Sequence, residues 1–238
     1  MNRWKLSLRA TIHFRRTNAA VAAGIVIATA VCVGSLAVGD SVRNMLRNIA
    51  DARLGAVRTV VAGGDRFFRE TLHDDLENDL GVVTAPIILL QGSVTVAGKS
   101  ARVNRVQIVG VSDAFWGFQG TGANTERVPG AGSAIVNDHL SVRLGLAPGD
   151  SIVLRIRNPG SIPADAPLSD DRTESVVMRR TVEAVAGKDD FGRFSLRADQ
   201  LPPDTVFVPL EDLQDAIQRR GQINLLLVGG ADADPDQV

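Results

Sequence analysis

Residues 19–39, AAVAAGIVIATAVCVGSLAVG, contain no charge and no proline. As a helix rising ~1.5 Å per residue, the run spans about 30 Å, the hydrocarbon thickness of a bilayer. No water is available there for unpaired backbone groups, so a single pass must be helical. Arg3, Lys5, Arg9, Arg15 and Arg16 precede the run, with no acidic residue among the first 39. The positive-inside tendency keeps this end in the cytoplasm and exports the chain beyond Gly39. Trp4 and Phe14 are candidate anchors at the headgroup level. Ser35-Leu36-Ala37 offers the alternative of a cleaved signal peptide. The run is longer than a usual signal h-region of roughly 7–15 residues, however, and a helical pattern continues beyond it through Val42, Leu46, Ile49 and Leu54. A retained anchor is the preferred reading, and either reading exports the remainder.

The whole chain carries −1 and its first 39 residues +5, so the remainder carries −6. An acidic exported part does not suit nucleic acid or an anionic membrane surface. About 199 residues lie beyond Gly39, enough for a sizeable core. Cys32 is the single cysteine and lies inside the apolar run, so the exported part has no disulfide and no thiol chemistry. Tyrosine is absent and aromatics are 4 %, too few for a stacking platform.

After the helical stalk, 56–62 reads as a short strand ended by Gly63-Gly64. Asp65 is the expected N-cap of a helix to about Leu80, with Phe68, Leu72, Leu76 and Leu80 on one face and Gly81 closing it. Strands at 85–96 and 103–111 flank Gly98-Lys99 as a hairpin, and a helical turn starts at Asp113. Residues 117–132 are a loop. A strand at 134–136 leads to a helix capped by Asn137 or Asp138. Pro148-Gly149-Asp150 then turns into a strand at 151–157. Loops at 158–171 and 188–203 surround a long strand at 174–186. A strand at 205–208, a helix from Pro209 to about Arg220, and a buried strand at 223–228 complete the pattern.

Three stretches carry a family resemblance. One is the basic segment, membrane helix and GDSVR stalk. The second is AIVNDHLSVRLGLAPGDSIVLRI, beginning at Ala134. The third is VFVPLEDLQDAIQRRGQINLLLV, beginning at Val206. In this order and spacing they resemble the periplasmic core domain of MacB-type ABC transporter permeases, the group with the lipoprotein-releasing and FtsX-like permeases. The resemblance implies an α+β (mixed α/β) extracytoplasmic domain of two subregions on an N-terminal transmembrane helix. The expected organisation is a cytoplasmic segment at 1–18, a transmembrane helix at 19–39, a stalk at 40–55, the core domain at 56–228 and a linker or tail at 229–238. The core divides into outer halves at about 56–112 and 205–228 and an inserted part at about 113–204. Family permeases have three more membrane helices after this domain, so the chain reads as a piece of a longer protein.

The sequence holds little reaction chemistry. Gly39-Asp40-Ser41 and Gly149-Asp150-Ser151 spell the start of a GDS esterase block. A serine nucleophile needs an imidazole, and only His13, His73 and His139 exist. No histidine comes after His139, and the residue three before it is Val136. His73-Asp74-Asp75 and Asp138-His139 are adjacent residues, without the i, i+4 spacing of ligands on one helix face. Asp170-Asp171 and Asp189-Asp190 lack the spacing of a calcium loop. No glycine-rich phosphate loop or Walker lysine motif occurs. Phe115-Trp116 is read as core rather than as a binding hot spot.

The expected function is that of a non-catalytic permease part, with no catalytic, cofactor-binding or metal-binding residue and no cofactor. Its coupling stalk is Asp40, Val42, Leu46, Ile49 and Leu54. The resemblance implies a separate ABC ATPase subunit on the cytoplasmic side and a second permease subunit, identical or different. A periplasmic adaptor and a lipoprotein or small-molecule cargo are further candidate partners. The location implied is the bacterial cytoplasmic membrane. The competing reading is a membrane-anchored sensor or ligand-binding module of a signalling receptor. The gene downstream of Val238 distinguishes the two: three more membrane helices favour the permease, one helix and a kinase-like region the receptor.

Overall fold

The computed structural model describes residues 13–64, 66–99, 101–119, 128–157, 175–197 and 201–229, with only the backbone described at 52 and 189. Trp4, Asp65, the tail after Gly229, residues 120–127 of one expected loop and all of 158–171 lie outside them. The chain divides into two compact units, Met1–Ile49 and Ala50–Val238.

Helix α1 (Arg15–Leu54) is 40 residues long without interruption, about 60 Å of helix. Val21, Ile25, Val26, Ile27, Val31, Val33, Leu36 and Val38 are 59–74 % exposed, so this is not the buried helix of a soluble core. It is the one described helix long and apolar enough to cross a membrane. The Thr29 hydroxyl donates to the Ile25 carbonyl at 2.7 Å, which satisfies it without water.

The second unit is built on an eight-stranded mixed sheet. Its strands are β1 (Val57–Ala62), β3 (Thr84–Val96), β4 (Arg102–Val111), β5 (Ser133–Asn137), β6 (Ser151–Arg157), β7 (Ser175–Ala186), β8 (Thr205–Pro209) and β10 (Leu225–Gly229). The short β2 (Phe68–Arg69) and β9 (Gln222–Ile223) pair apart from it. The helices are α2 (Leu72–Leu80), α3 (Asp113–Trp116), α4 (Asp138–Leu144) and α5 (Leu210–Ala216). The strand order is β1-β10-β3-β4-β8-β5-β7-β6, and β6 returns to β3 over Gly92–Val96. Six strands thereby close into a ring, which removes their free edges. The parallel pairs are β4 with β8 and β5 with β7.

Strand alternation divides the core between two clusters. Ile108, Ala134, Val136, Val206, Val208 and Leu226 join one, together with Leu140 of α4 and Leu213 of α5. Val109, Val111, Ile135, Phe207, Leu225 and Leu227 join the other. Phe115, Trp116, Phe118, Phe191, Phe194 and Phe207 fill this second cluster, six of the chain's ten aromatics. Phe115 stacks edge-on against Trp116 and Phe194 with centroids 5.1 and 5.2 Å apart, geometry worth about 1 kcal/mol per pair beyond area. The few aromatics of the sequence are thus concentrated in one place.

The expected hairpin, the α3 turn and the Asn137 cap are present. The Asn137 side chain accepts from the Leu140 amide at 3.0 Å. Gly81 closes α2 at φ 62°. Three elements differ from expectation. The helix expected from Asp65 begins only at Leu72, because Phe68 and Arg69 pair with Ile223 and Gln222 instead. Leu80 is 64 % exposed and lies off the apolar face. The last strand is split at Asn224, and α5 ends at Ala216 rather than near Arg220.

Candidate functional site

The five stalk residues all lie on α1. Asp40, Val42 and Leu46 are exposed, and Ile49 is half-buried. Leu54 packs against the aromatic cluster, beside Ala56. The structure therefore places one of the five against the sheet domain's core and leaves the first three on an open helix surface.

What sequence reasoning missed is the seat at the end of the helix. Gly55 comes after Leu54 with φ +54°, in the left-handed region where a side chain is strained. A Cβ there would lie 2.2 Å from the Phe118 carbonyl oxygen and 3.3 Å from the Phe191 ring. The next amide, Ala56 N–H, donates to that same Phe118 oxygen at 2.9 Å. Phe118 is itself buried, and its ring closes on the end of β10, where a Cβ on Gly229 would meet it at 3.1 Å. Val57 pairs with Gly229 in the first register of β1 with β10. One aromatic residue thus touches the segment leading in from α1 and the strand end from which the chain leaves the sheet. A glycine after an apolar helical run is a recognisable stop signal, but its partner 63 residues later is not.

Asn224 is a second residue that was missed. β3 pairs with β10 as far as Ile87 and with β6 from Gly92, which leaves Leu89 between two partners. The Asn224 side chain fills the gap. Its Oδ1 accepts from Leu89 N–H, and its Nδ2 donates to Leu89 C=O, each at 2.9 Å. The amide side chain replaces a missing strand peptide and holds the junction of the two sheet regions.

The titratable cluster of the domain centres on Asp204. Its carboxylate, buried beside Asn137, receives Nδ1 of His139 at 2.7 Å and Nη1 of Arg143 at 2.5 Å. The aspartate sought three residues before His139 is thus supplied from 65 residues later. Among the described residues no serine hydroxyl hydrogen-bonds His139. Ser41 lies on α1 and Ser151 on β6, where it pairs with Thr181. The His139–Asp204 pair ties α4 to the start of β8, a structural task. Asp138 is held by Arg193 at 2.7 Å, and His73 meets its neighbour Asp74 at 3.5 Å. No described cluster gathers three or more His, Cys, Asp or Glu side chains for a metal. Phe115 and Trp116 are fully buried, which makes them core.

The sequence matches the family described as MacB-like periplasmic core domain over residues 19–238. The chain belongs to that family, and its fold is the mixed α/β arrangement on a long apolar N-terminal helix that the resemblance implied. No match was found among curated proteins. Two solved structures are similar at low identity. The periplasmic region of MacB from Actinobacillus actinomycetemcomitans is 10 % identical with a TM-score of 0.45, covering 70 % of this chain and 66 % of that one. The extracellular domain of the noncanonic ABC-type transporter YknZ from Gram-positive bacteria is 12 % identical with a TM-score of 0.43, covering 71 % of this chain and 75 % of that one.

Proposed function

We propose that the chain is the first membrane helix and extracytoplasmic domain of an ABC transporter permease subunit, and that α1 transmits movement of the membrane part to the sheet domain. The observation that carries this is the unbroken helix Arg15–Leu54. Its hydrogen-bond ladder runs through Gly39 and Asp40, where a tether would be expected to break, and it stops only at the Gly55–Phe118 seat. A helix resists bending because each turn is bonded to the next. Displacing it therefore moves the part to which its end is fixed.

In this reading the N-terminus is cytoplasmic and the membrane is the bacterial cytoplasmic membrane. ATP hydrolysis belongs to a separate subunit, and a second permease subunit completes the transporter. The chain performs no reaction and needs no cofactor; it moves a cargo or an adaptor on the far side. Asp40, Val42, Leu46, Ile49 and Leu54 form the transmitting segment. The division of 56–228 into outer halves and an inserted part belongs to the same reading. The pairing of β1 with β10 and of β10 with β3 supports it, because it joins the two outer stretches where α1 ends.

The test is a flexible Gly/Ser insertion between Gly39 and Asp40 in the full-length permease. Transport is expected to fail while membrane insertion and ATPase binding persist. Undiminished transport would reduce α1 to a tether.

A further inference from the structure

The domain's acidic balance hides a local surface of opposite sign. Register places Ser93 opposite both Asn104 and Arg155, and Arg155 opposite Val177. It places Thr95 opposite both Arg102 and Val153, and Val153 opposite Arg179; Arg157 faces Ser175. Residues directly opposite, or two apart on a strand, share a face. Arg102, Arg155, Arg157 and Arg179 therefore stand on one face of β4, β3, β6 and β7, and all four are exposed. The opposite face carries Val94, Val103, Leu154, Ile156 and Met178 into the core.

Arg155 and Arg157 are about 7 Å apart along β6, and neighbouring strands add about 5 Å steps. Arg155 is about 7–8 Å from Arg157 and Arg179, near the ~8 Å screening length of physiological salt, so these three charges reinforce one another, and Arg102 stands about 12 Å from Arg155 on the same face. Five other arginines of the domain have a carboxylate partner: Arg69 with Asp75, Arg143 with Asp204, Arg180 with Asp212, Arg193 with Asp138 and Arg220 with Asp215. Among the described residues no carboxylate pairs with the four on this face. Arg102 donates to the Ser93 hydroxyl at 3.1 Å. Among the described residues, Glu183 of β7 is engaged by Gly130 N–H and Asp150, next to β6, by Ala147 N–H, each at 2.9 Å.

We propose that this face is a docking surface for an acidic polypeptide segment of a partner protein. Arginine forks bind carboxylates in pairs, and the two-residue repeat of a strand matches carboxylates presented along an extended chain. A lipid surface fits less well, because the chain beyond Gly39 carries −6 overall and anionic headgroups would repel it, whereas a single extended segment meets only this face.

The probe is a fluorescent dodecaglutamate peptide, titrated by anisotropy against the full chain in phosphatidylcholine nanodiscs. Binding is expected to weaken steeply with salt. Arg155→Gln/Arg179→Gln should weaken it at least tenfold, whereas Arg58→Gln/Arg66→Gln, with the same change in net charge, should leave it within twofold. Circular dichroism checks that each variant is folded. Equal losses in the two double variants, or no binding by the wild type, would overturn the proposal. So would capture by phosphatidylglycerol vesicles in place of the peptide. A protein that binds only after Asp165, Asp170 and Asp171 are changed to Asn would assign the face to the chain's own loop, and would also overturn it.

Discussion

Gly55→Ala is the sharpest structural perturbation. Gly55 holds φ +54°, and placing an L-residue there costs about 1–2 kcal/mol. The added methyl would sit 2.2 Å from the Phe118 oxygen, a backbone atom that cannot swing aside like a side-chain end. Relieving that approach moves Gly55 away from Phe118 and breaks the Ala56 N–H bond to the same oxygen, about another 1 kcal/mol. The sum is about 2–3 kcal/mol. Gly64→Ala is the matched control, because Gly64 has φ +63° and open space around its missing Cβ. It should cost only the backbone term. The two variants then differ by about 1 kcal/mol, and thermal melts in nanodiscs should place Gly55→Ala lower by roughly 2–4 °C for a domain of this size. Hydrogen exchange should speed up at the Ala56 amide in Gly55→Ala alone. Equal melts and unchanged exchange at Ala56 would refute the seat.

Asn224→Leu should cost about 2–3 kcal/mol in denaturant unfolding, because it strands both backbone groups of Leu89. Asp204→Asn should cost about 1–2 kcal/mol by the same measurement, since its partners His139 and Arg143 are partly exposed and can rehydrate. The hydrogen bond from Arg220, opposed by slight burial and aided by its charge, holds the Asp215 carboxyl below its ordinary range. A folded pKa below the unfolded one means a contribution that is present above the ordinary carboxylate range and lost as pH falls through the lowered value. Carboxyl NMR titration should therefore show Asp215 moving upward in Arg220→Gln. In a Cys32→Ser background, Lys99→Cys should react with an impermeant maleimide in intact spheroplasts; reaction only after permeabilisation would reverse the topology.

Local rules carried much of the fold into view. The apolar run of α1 needs only length and composition. The 84–111 hairpin needs alternation around Gly98, and the Asn137 cap needs one residue type before an apolar helix. The features that stayed hidden depend on partners distant in the chain. Phe68 looks helical by spacing, but its backbone bonds go to Ile223, and tertiary pairing overrides propensity. Asn224 looks like a polar blemish in a buried strand until Leu89 lies beside it. Phe118 appears in a glycine-rich loop with nothing to link it to Gly55. The arginine face is invisible along any one strand, since Arg102, Arg155 and Arg179 meet only through the register of four strands.

In the proposed function α1 passes displacement of the membrane part to the sheet domain. Pulsed electron paramagnetic resonance tests it most directly, with spin labels at Arg47→Cys on α1 and Val142→Cys on α4 in a Cys32→Ser full-length permease with its ATPase in nanodiscs. The expected result is one narrow distance distribution, unchanged between nucleotide-free and ATP-trapped states, that broadens in Gly55→Ala. A broad distribution in the wild type, indifferent to nucleotide and to that substitution, would contradict it.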